Sequence, residues 1–196
     1  MKIVIAPDSF KESLSAPEVA AALARGVKRA APDAHIICVP MADGGEGTVQ
    51  AVLGATQSEP RSDWVQNALG RPIQAQWALL PDQTAVIEMA CAAGLEHIAP
   101  SQRDALRATT FGVGELIKHA LDAGARHIVL GLGGSATNDG GAGMLSALGL
   151  RLLDAQRTPL AAGGAALAKL EFIDASNFDT RLEQRRFLST NYVVKH

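Results

Sequence analysis

The residues best suited to chemistry lie in a glycine-rich stretch between a predicted strand and a predicted helix. Residues 131–144 read Gly-Leu-Gly-Gly-Ser-Ala-Thr-Asn-Asp-Gly-Gly-Ala-Gly-Met. The first N–H groups of a helix have no partner inside it, and the helix dipole adds positive charge at that end, so such a turn favours an anion. We therefore predict a phosphate site here, although a tight turn that only caps a helix is the alternative.

The side chains of this stretch suggest separate roles. Ser135 and Thr137 supply hydroxyl groups, and Asn138 and Asp139 supply an amide and a carboxylate at a place where a phosphate-bound metal fits. Glycines let a backbone approach a phosphate closely. The positions predicted to bind phosphate or substrate are Gly133, Gly134, Ser135, Ala136, Thr137 and Asn138.

Two further polar loops follow predicted strands. The first contains Asp8, Ser9, Lys11 and Ser13, and the second contains Asp43, Gly44, Gly45, Glu46 and Thr48. Open α/β sheets bind ligands at the carboxyl ends of their strands, so the three loops are expected to converge. Three short carboxylates in matching places suit Mg²⁺, or a base that takes a hydroxyl proton: Asp8, Asp43 and Asp139. Each of them, taken alone, is equally well a turn residue or a helix cap.

Four other charged residues carry weaker predictions. Lys11 is predicted to neutralise a transferring phosphoryl group, with a solvated surface lysine as the alternative. Glu46 is a candidate base, or a favourable anion in the first turn of a helix. Glu88 interrupts an apolar strand, which favours a position facing the cleft over one facing solvent. Arg71 is predicted either to reach a carboxylate across the cleft or to be a turn residue.

The elements that position these residues follow from the hydrophobic pattern. Apolar runs at 2–6, 35–39 and 127–130 predict buried parallel strands, and Ser15 with Glu18 has the spacing of a capping box before a helix. Residues 73–79 alternate between apolar and polar side chains, and residues 85–89 are mostly apolar. A turn lies between the two segments, which predicts an antiparallel hairpin. The prediction is an α/β fold with a Rossmann-like parallel sheet domain, residues 1–56 and 108–183, and an inserted smaller α+β lobe at 57–107 that carries the hairpin.

Composition limits the partners. The 196 residues carry a net charge of −2, with 47% hydrophobic and 19% charged residues. Such a balance gives no basic field for nucleic acid or a membrane surface, and no apolar run approaches the ~20 residues that span a bilayer. The two cysteines, Cys38 and Cys91, have no metal spacing and indicate a reduced, cytoplasmic protein.

Two nucleotide motifs separate the classes of enzyme. The sequence contains no G-x-x-x-x-G-K-[ST], which argues against a P-loop enzyme. Gly131, Gly133 and Ala136 fit G-x-G-x-x-G/A, and Asp154 lies at about the distance of a ribose-binding acid. An NAD(P)-binding dehydrogenase therefore stays open, although the charge of Asp139 disfavours a pyrophosphate at that turn.

Four motifs together resemble the glycerate kinase type 1 family. They are Asp-Ser-Phe-Lys-Glu-Ser-Leu-Ser-Ala at 8–16, Met-Ala-Asp-Gly-Gly-Glu-Gly-Thr at 41–48, Ile-Glu-Met-Ala at 87–90 with Gly94 and Leu95, and residues 133–144. The resemblance implies a bacterial enzyme that phosphorylates the 2-hydroxyl of D-glycerate with ATP and Mg²⁺, in a cleft lined by the three loops. Under it Asp43 and Asp139 serve metal or base, Lys11 serves the developing charge, and a homo-oligomer is possible.

The resemblance covers the chain from residue 1 to about Glu183. Asn-Ala-Leu-Gly at 67–70 replaces a frequent Gly-Pro-Leu-Gly turn, and residues 184–196 resemble none of the family's continuation. A frameshift or premature stop is the expectation, with 184–196 as an aberrant tail. A catalytically inactive truncated fragment is therefore the alternative to an active kinase.

Overall fold

The computed structural model describes residues 1–10, 13–42, 44–45 and 47–190. Its first unit is strand β1 (Lys2–Ile5), helix α1 (Ala16–Ala30) and strand β2 (His35–Cys38), with β1 and β2 parallel. The predicted capping box starts α1: the Ser15 N–H donates to the Glu18 carboxylate at 2.8 Å. Among the described residues these two strands form a sheet of their own.

The main sheet joins the hairpin to the strand before the glycine-rich stretch. Its order is β3 (Pro60–Gln66), β4 (Pro72–Leu79), β5 (Thr84–Glu88), β6 (His127–Gly131) and β9 (Arg186–Thr190). Strands β3 to β5 are antiparallel neighbours, whereas β5, β6 and β9 run parallel. The predicted α/β fold with its hairpin is confirmed.

Two features of this sheet differ from the expected organisation. The hairpin extends the sheet that contains β6, because β5 pairs with β6 along its whole length. The predicted domain boundaries stay a prediction, but the strands of 57–107 do not form a sheet apart. Residues 186–190, set aside as an aberrant tail, form β9 beside β6.

Helices cover both faces of this sheet. Alternate residues of β5 and β6, such as Ile87 and Ile128, point toward helix α4 (Phe111–Asp122), whose Leu116 and Ile117 are fully buried. Val86, the neighbour of Ile87 in sequence, points to the other face, where helix α2 (Thr48–Thr56) packs. This two-residue alternation buries both faces of the central strands, as a three-layer α/β arrangement requires.

The remaining elements follow the carboxyl ends of β5 and β6. Helix α3 (Ala90–Ala93) follows β5, and helix α5 (Ala142–Ala147) follows the glycine-rich stretch and packs on α4. Strands β7 (Arg151–Leu153) and β8 (Phe172–Asp174) then form an antiparallel pair. In the described part of the chain, no helix combines the length and the apolar character needed to cross a bilayer.

Candidate functional site

Two of the three polar loops meet at the carboxyl ends of the central strands. The Gly133 N–H donates to the Gly44 carbonyl at 3.2 Å. A side chain at Gly133 would collide with the Cα of Gly45, so only glycine permits this approach. The predicted convergence of the second and third loops is therefore seen directly in their backbones.

The third loop is also fixed to the segment that follows β5. The Gly131 carbonyl accepts from the Met89 N–H at 2.9 Å, and the Ala136 N–H donates to Ala93 at 2.8 Å. The Gly134 carbonyl accepts from Leu95 at 3.3 Å. The N–H groups of Gly133 and Ala136 thus have acceptors within the protein, and the predicted role of these residues in binding phosphate stays a prediction.

A hollow of about 560 Å³ lies between the first loop and α2, and we call it the serine-lined hollow. It is lined by Ser9, Ser13, Gly47, Gln76, Glu88 and Cys91, among others. The serines of the first loop therefore share this hollow with Gly47 of the second loop and with the end of β5. Asp8 itself is exposed, and its carboxylate accepts from the neighbouring Ser9 N–H at 2.7 Å.

A second hollow of about 530 Å³, the glycine-loop hollow, lies beside residues 135–141. Its walls include the apolar side chains of Met89, Leu130 and Leu132 together with Ser135 and Thr137. The two hydroxyls are 2.8 Å apart, and the Ser135 oxygen accepts from the Thr137 N–H at 3.0 Å. Glu88 lines the first hollow and Met89 lines the second, so the two hollows lie near the end of β5 but have no lining residue in common.

Glu88 points inward from the end of β5 toward the start of α2. It is 4% exposed, and its oxygens accept from the N–H groups of Gly47 at 3.3 Å and Val49 at 2.6 Å. The carboxylate at the end of β5 thus caps α2, the helix that follows the second loop. The helix dipole favours a negative charge at that helix start. The predicted orientation toward the cleft agrees with its place in the serine-lined hollow, but its role in substrate binding stays a prediction.

Cys91 lies one turn beyond Glu88, with its sulfur 3.9 Å from that carboxylate. Burial, and then the charge of Glu88, raise the pKa of the Cys91 thiol to about 12. A thiol with this pKa stays protonated near neutral pH, and it is not suited to act as a nucleophile.

Among the carboxylates of the site that the structure describes, Asp139 is the most completely enclosed, with 1% of its surface exposed. It lies between the start of α4 and the start of α5. Thr110 donates its N–H at 2.9 Å and its hydroxyl at 3.0 Å, and the Thr109 hydroxyl donates at 3.3 Å. The N–H groups of Gly141 and Gly143 donate at 3.1 and 3.0 Å.

This environment is that of a carboxylate that holds two helix starts together. The same Thr110 hydroxyl also accepts from the Met144 N–H at 2.9 Å, which joins α4 and α5 a second time. Nothing local in the sequence links Thr109 or Thr110 to a carboxylate about 30 positions away. The metal or base role of Asp139 stays a prediction.

Three predicted site residues lie outside the described residues: Lys11, Asp43 and Glu46. Their roles stay predictions. Within the part of the chain that the structure describes, no group of three or more His, Cys, Asp or Glu side chains could hold a metal ion. Asp8 is exposed and Asp139 is saturated by hydrogen bonds, so the described residues alone do not assemble a Mg²⁺ site.

Thr48, by contrast, is described and buried. Its hydroxyl donates to the Gly45 carbonyl at 2.8 Å, which closes the turn that leads into α2. Thr48 therefore shapes the second loop from within, and its predicted contact with substrate stays a prediction.

Asp154 and Arg71 also have local partners. One oxygen of Asp154 accepts from the N–H groups of Gln156 at 2.9 Å and Thr158 at 2.8 Å, so this predicted ribose-binding acid closes its own turn. Together with the acceptors that the Gly133 and Ala136 N–H groups have within the protein, this argues against a dinucleotide site. Arg71 lines neither the serine-lined hollow nor the glycine-loop hollow, but a third hollow.

Known proteins resemble this chain in sequence and in fold. Residues 3–193 match the sequence profile of the Glycerate kinase family. The glycerate 2-kinase of Escherichia coli K12 is 53% identical over 184 residues, which are 93% of this chain and 48% of that protein. The glycerate kinase of Bacillus subtilis 168 is 53% identical over 183 residues, again 93% and 48% of the two chains.

A solved structure shows the same fold. It is provisionally assigned as glycerate kinase 2 from Salmonella typhimurium LT2, and it superposes with a TM-score of 0.83 at 53% identity. The alignment covers 96% of this chain and 52% of that one. The chain thus spans about half the length of the curated relatives it matches, and the profile match continues past Glu183 to include β9.

Proposed function

We propose, since the chain belongs to the glycerate kinase family, that it carries a site for ATP-dependent phosphorylation of D-glycerate. The reaction transfers the terminal phosphoryl group of Mg-ATP to the 2-hydroxyl and yields ADP and 2-phosphoglycerate. The observation that supports this most is the direct backbone contact of two glycine-rich loops, with one hollow near the end of the second loop and another beside the third. In-line transfer requires two reactants side by side, and we place their meeting point at the contact between the two loops.

The hollows differ in a way that suggests which reactant each one holds. The serine-lined hollow presents the hydroxyls of Ser9 and Ser13, which are suited to a small hydroxy acid. The glycine-loop hollow has apolar walls at Leu130 and Leu132 with the hydroxyls of Ser135 and Thr137 at its edge. A mostly apolar wall with a few polar groups is typical of sites for larger cofactors, so we place the nucleotide there.

In this mechanism the described residues position the reactants and do not exchange protons. Ser9 and Ser13 orient D-glycerate, and the glycine contact between Gly44 and Gly133 keeps side chains away from the path of the phosphoryl group. Lys11 is proposed to neutralise charge on that group and Asp43 to accept the hydroxyl proton or to hold Mg²⁺. Phosphoryl transfer relies mainly on positioning and charge stabilisation, which this division of roles follows.

An inactive fragment is the second candidate, and one observation favours it. Phe187 and Leu188 of β9 are 45% and 62% exposed, and β9 is the last strand of its sheet among the described residues. An open, apolar edge favours association with another chain or with a further segment of the same one. A homo-oligomer formed through this edge also belongs to this second proposal.

A turnover assay with D-glycerate and Mg-ATP tests the first proposal, with ³¹P NMR to identify 2-phosphoglycerate. Ser9→Ala combined with Ser13→Ala is expected to raise KM for D-glycerate about tenfold or more, because two hydrogen bonds are lost, and to leave KM for ATP unchanged. Ser62→Ala, an exposed serine on β3, is the matched control. Absence of phosphorylated product from the unaltered chain would favour the fragment, and an equal effect on both KM values would contradict the assignment of the hollows.

A further inference from the structure

A turn between β3 and β4 holds one arginine in a fixed place. The buried Asn67 accepts with its side-chain oxygen from the N–H groups of Leu69 at 2.9 Å and Arg71 at 3.0 Å. Its own N–H donates to the Arg71 carbonyl at 2.7 Å, and Gly70 supplies the positive φ of 77° that the turn requires. Side-chain and backbone bonds therefore both fix the start of the Arg71 side chain.

The guanidinium group of Arg71 lies on a hollow of about 430 Å³, which we call the arginine hollow. Its Nη1 donates to the Gln102 side-chain oxygen at 3.0 Å, and the hollow is also lined by Arg107, Asp104, Thr109 and Phe111. It has no lining residue in common with the two hollows of the proposed active site. Its nearest point to them along the chain is Thr109, since the next residue, Thr110, lines the glycine-loop hollow.

The charges around the arginine hollow are not balanced. Neither Arg71 nor Arg107 takes part in an ion pair with any residue that the structure describes. Asp104 is the nearby acid, and its Oδ1 accepts from the N–H groups of Leu106 at 3.0 Å and Arg107 at 3.3 Å. That oxygen closes a backbone turn, so two arginines line the hollow with at most one acid beside them.

We propose that the arginine hollow binds a small organic anion through a phosphate or carboxylate group. Guanidinium groups bind such groups with paired, charge-assisted hydrogen bonds, and two of them on one hollow suit a doubly charged head group. The volume exceeds what inorganic phosphate needs and falls within the range of roughly 300–1,000 Å³ of small-molecule sites. The proposal does not depend on the activity proposed above.

An adjoining hollow of about 270 Å³ indicates the rest of the ligand. It shares Thr109, Phe111, Ala161 and Ala162 with the arginine hollow, and its further walls are mostly apolar, including Leu152 and Leu160. A ligand with an anionic end and a neutral or apolar body fits the two hollows together.

Calorimetric titration of the full chain with sodium phosphate and with sodium acetate, at constant ionic strength, tests the proposal. Saturable binding is expected, weakened about tenfold by Arg71→Gln or by Arg107→Gln and lost in the double variant, because each substitution removes a charged hydrogen-bonding group. Stronger binding of phosphate or of acetate identifies the head group. Arg103→Gln is the matched control, since Arg103 is exposed beside the hollow but does not line it.

Three results would overturn the proposal. They are the absence of saturable binding for both anions, unchanged binding in the double variant, or an equal loss in the Arg103→Gln control. Arg71→Lys adds a further check, because lysine keeps the charge but loses the planar fork. We expect its binding to lie between those of the unaltered chain and Arg71→Gln.

Discussion

In both glycine-rich loops of this protein a buried carboxylate holds the start of the following helix, but the two carboxylates come from different places in the chain. Each loop leads into a helix start, where a buried carboxylate accepts hydrogen bonds. Glu88 accepts from two N–H groups of the second loop, at Gly47 and Val49. Asp139 belongs to the third loop itself and accepts from groups at the starts of both α4 and α5.

The two buried carboxylates explain why a bound phosphate at each helix start is an incomplete expectation. A glycine-rich turn before a helix favours an anion, and here the anion at both helix starts is a side chain of the protein. The positive ends of the helices stabilise the fold, so a bound phosphate must rely on other groups. Hydroxyls such as Ser135 and Thr137 line the adjoining hollow and remain suited to that purpose.

The largest expected effect comes from removing Asp139. Asp139→Ala leaves buried N–H and hydroxyl donors at both helix starts without an acceptor, which we expect to lower the free energy of unfolding by about 3–5 kcal/mol. Urea unfolding followed by circular dichroism measures it. Asp139→Asn keeps one oxygen and should cost less, and Asp33→Ala, an exposed aspartate, should change stability by less than about 0.5 kcal/mol.

A loss below about 1 kcal/mol for Asp139→Ala would contradict the structural role of this carboxylate. Asp139 would then be free for the metal or base role predicted from the sequence. The same measurement thus decides between the two interpretations without requiring that the chain be active.

A smaller and more local effect is expected at Glu88. Glu88→Ala removes the acceptor for two N–H groups at the start of one helix, and we expect a loss of about 2 kcal/mol in the free energy of unfolding. Hydrogen exchange should show faster exchange at Val49 and unchanged exchange at Gly143, because the Asp139 contacts are intact.

Glu96→Ala is the matched control for this variant. Glu96 lines the same serine-lined hollow but is exposed, so stability and exchange at Val49 should both stay unchanged. Faster exchange at both glycine-rich loops in Glu88→Ala would mean that the two loops open as one unit, and the comparison between them would fail.

The parts of the fold that the sequence predicts well are those encoded by local patterns. The alternation at 73–79, the apolar run before Gly131 and the Ser15 capping box each produced the expected element. Strand β3 was not predicted, because Arg61 and Asp63 interrupt its apolar pattern. Strand β9 was also missed, and its place beside β6 depends on pairing across more than 50 residues, which local patterns do not specify.

The candidate site shows the same division. Residue types and spacing identified the loops that meet, and glycine at position 133 follows from their close approach. The direction of a carboxylate is decided by which donors surround it in the folded chain. Asp139 therefore looks like a ligand for metal in the sequence and is a partner of Thr110 in the structure.

The smallest predicted effect concerns the thiol beside Glu88. Since burial is the main cause of the raised pKa of Cys91 and the charge of Glu88 the next, Glu88→Gln should lower that pKa without restoring an ordinary value. At pH 8 a disulfide reagent should modify the exposed Cys38 quickly and Cys91 slowly, and Glu88→Gln should speed only the slow phase. Equal slow phases in both proteins would show that the charge of Glu88 does not reach the thiol, and an accelerated Cys38 phase would indicate general loosening of the fold.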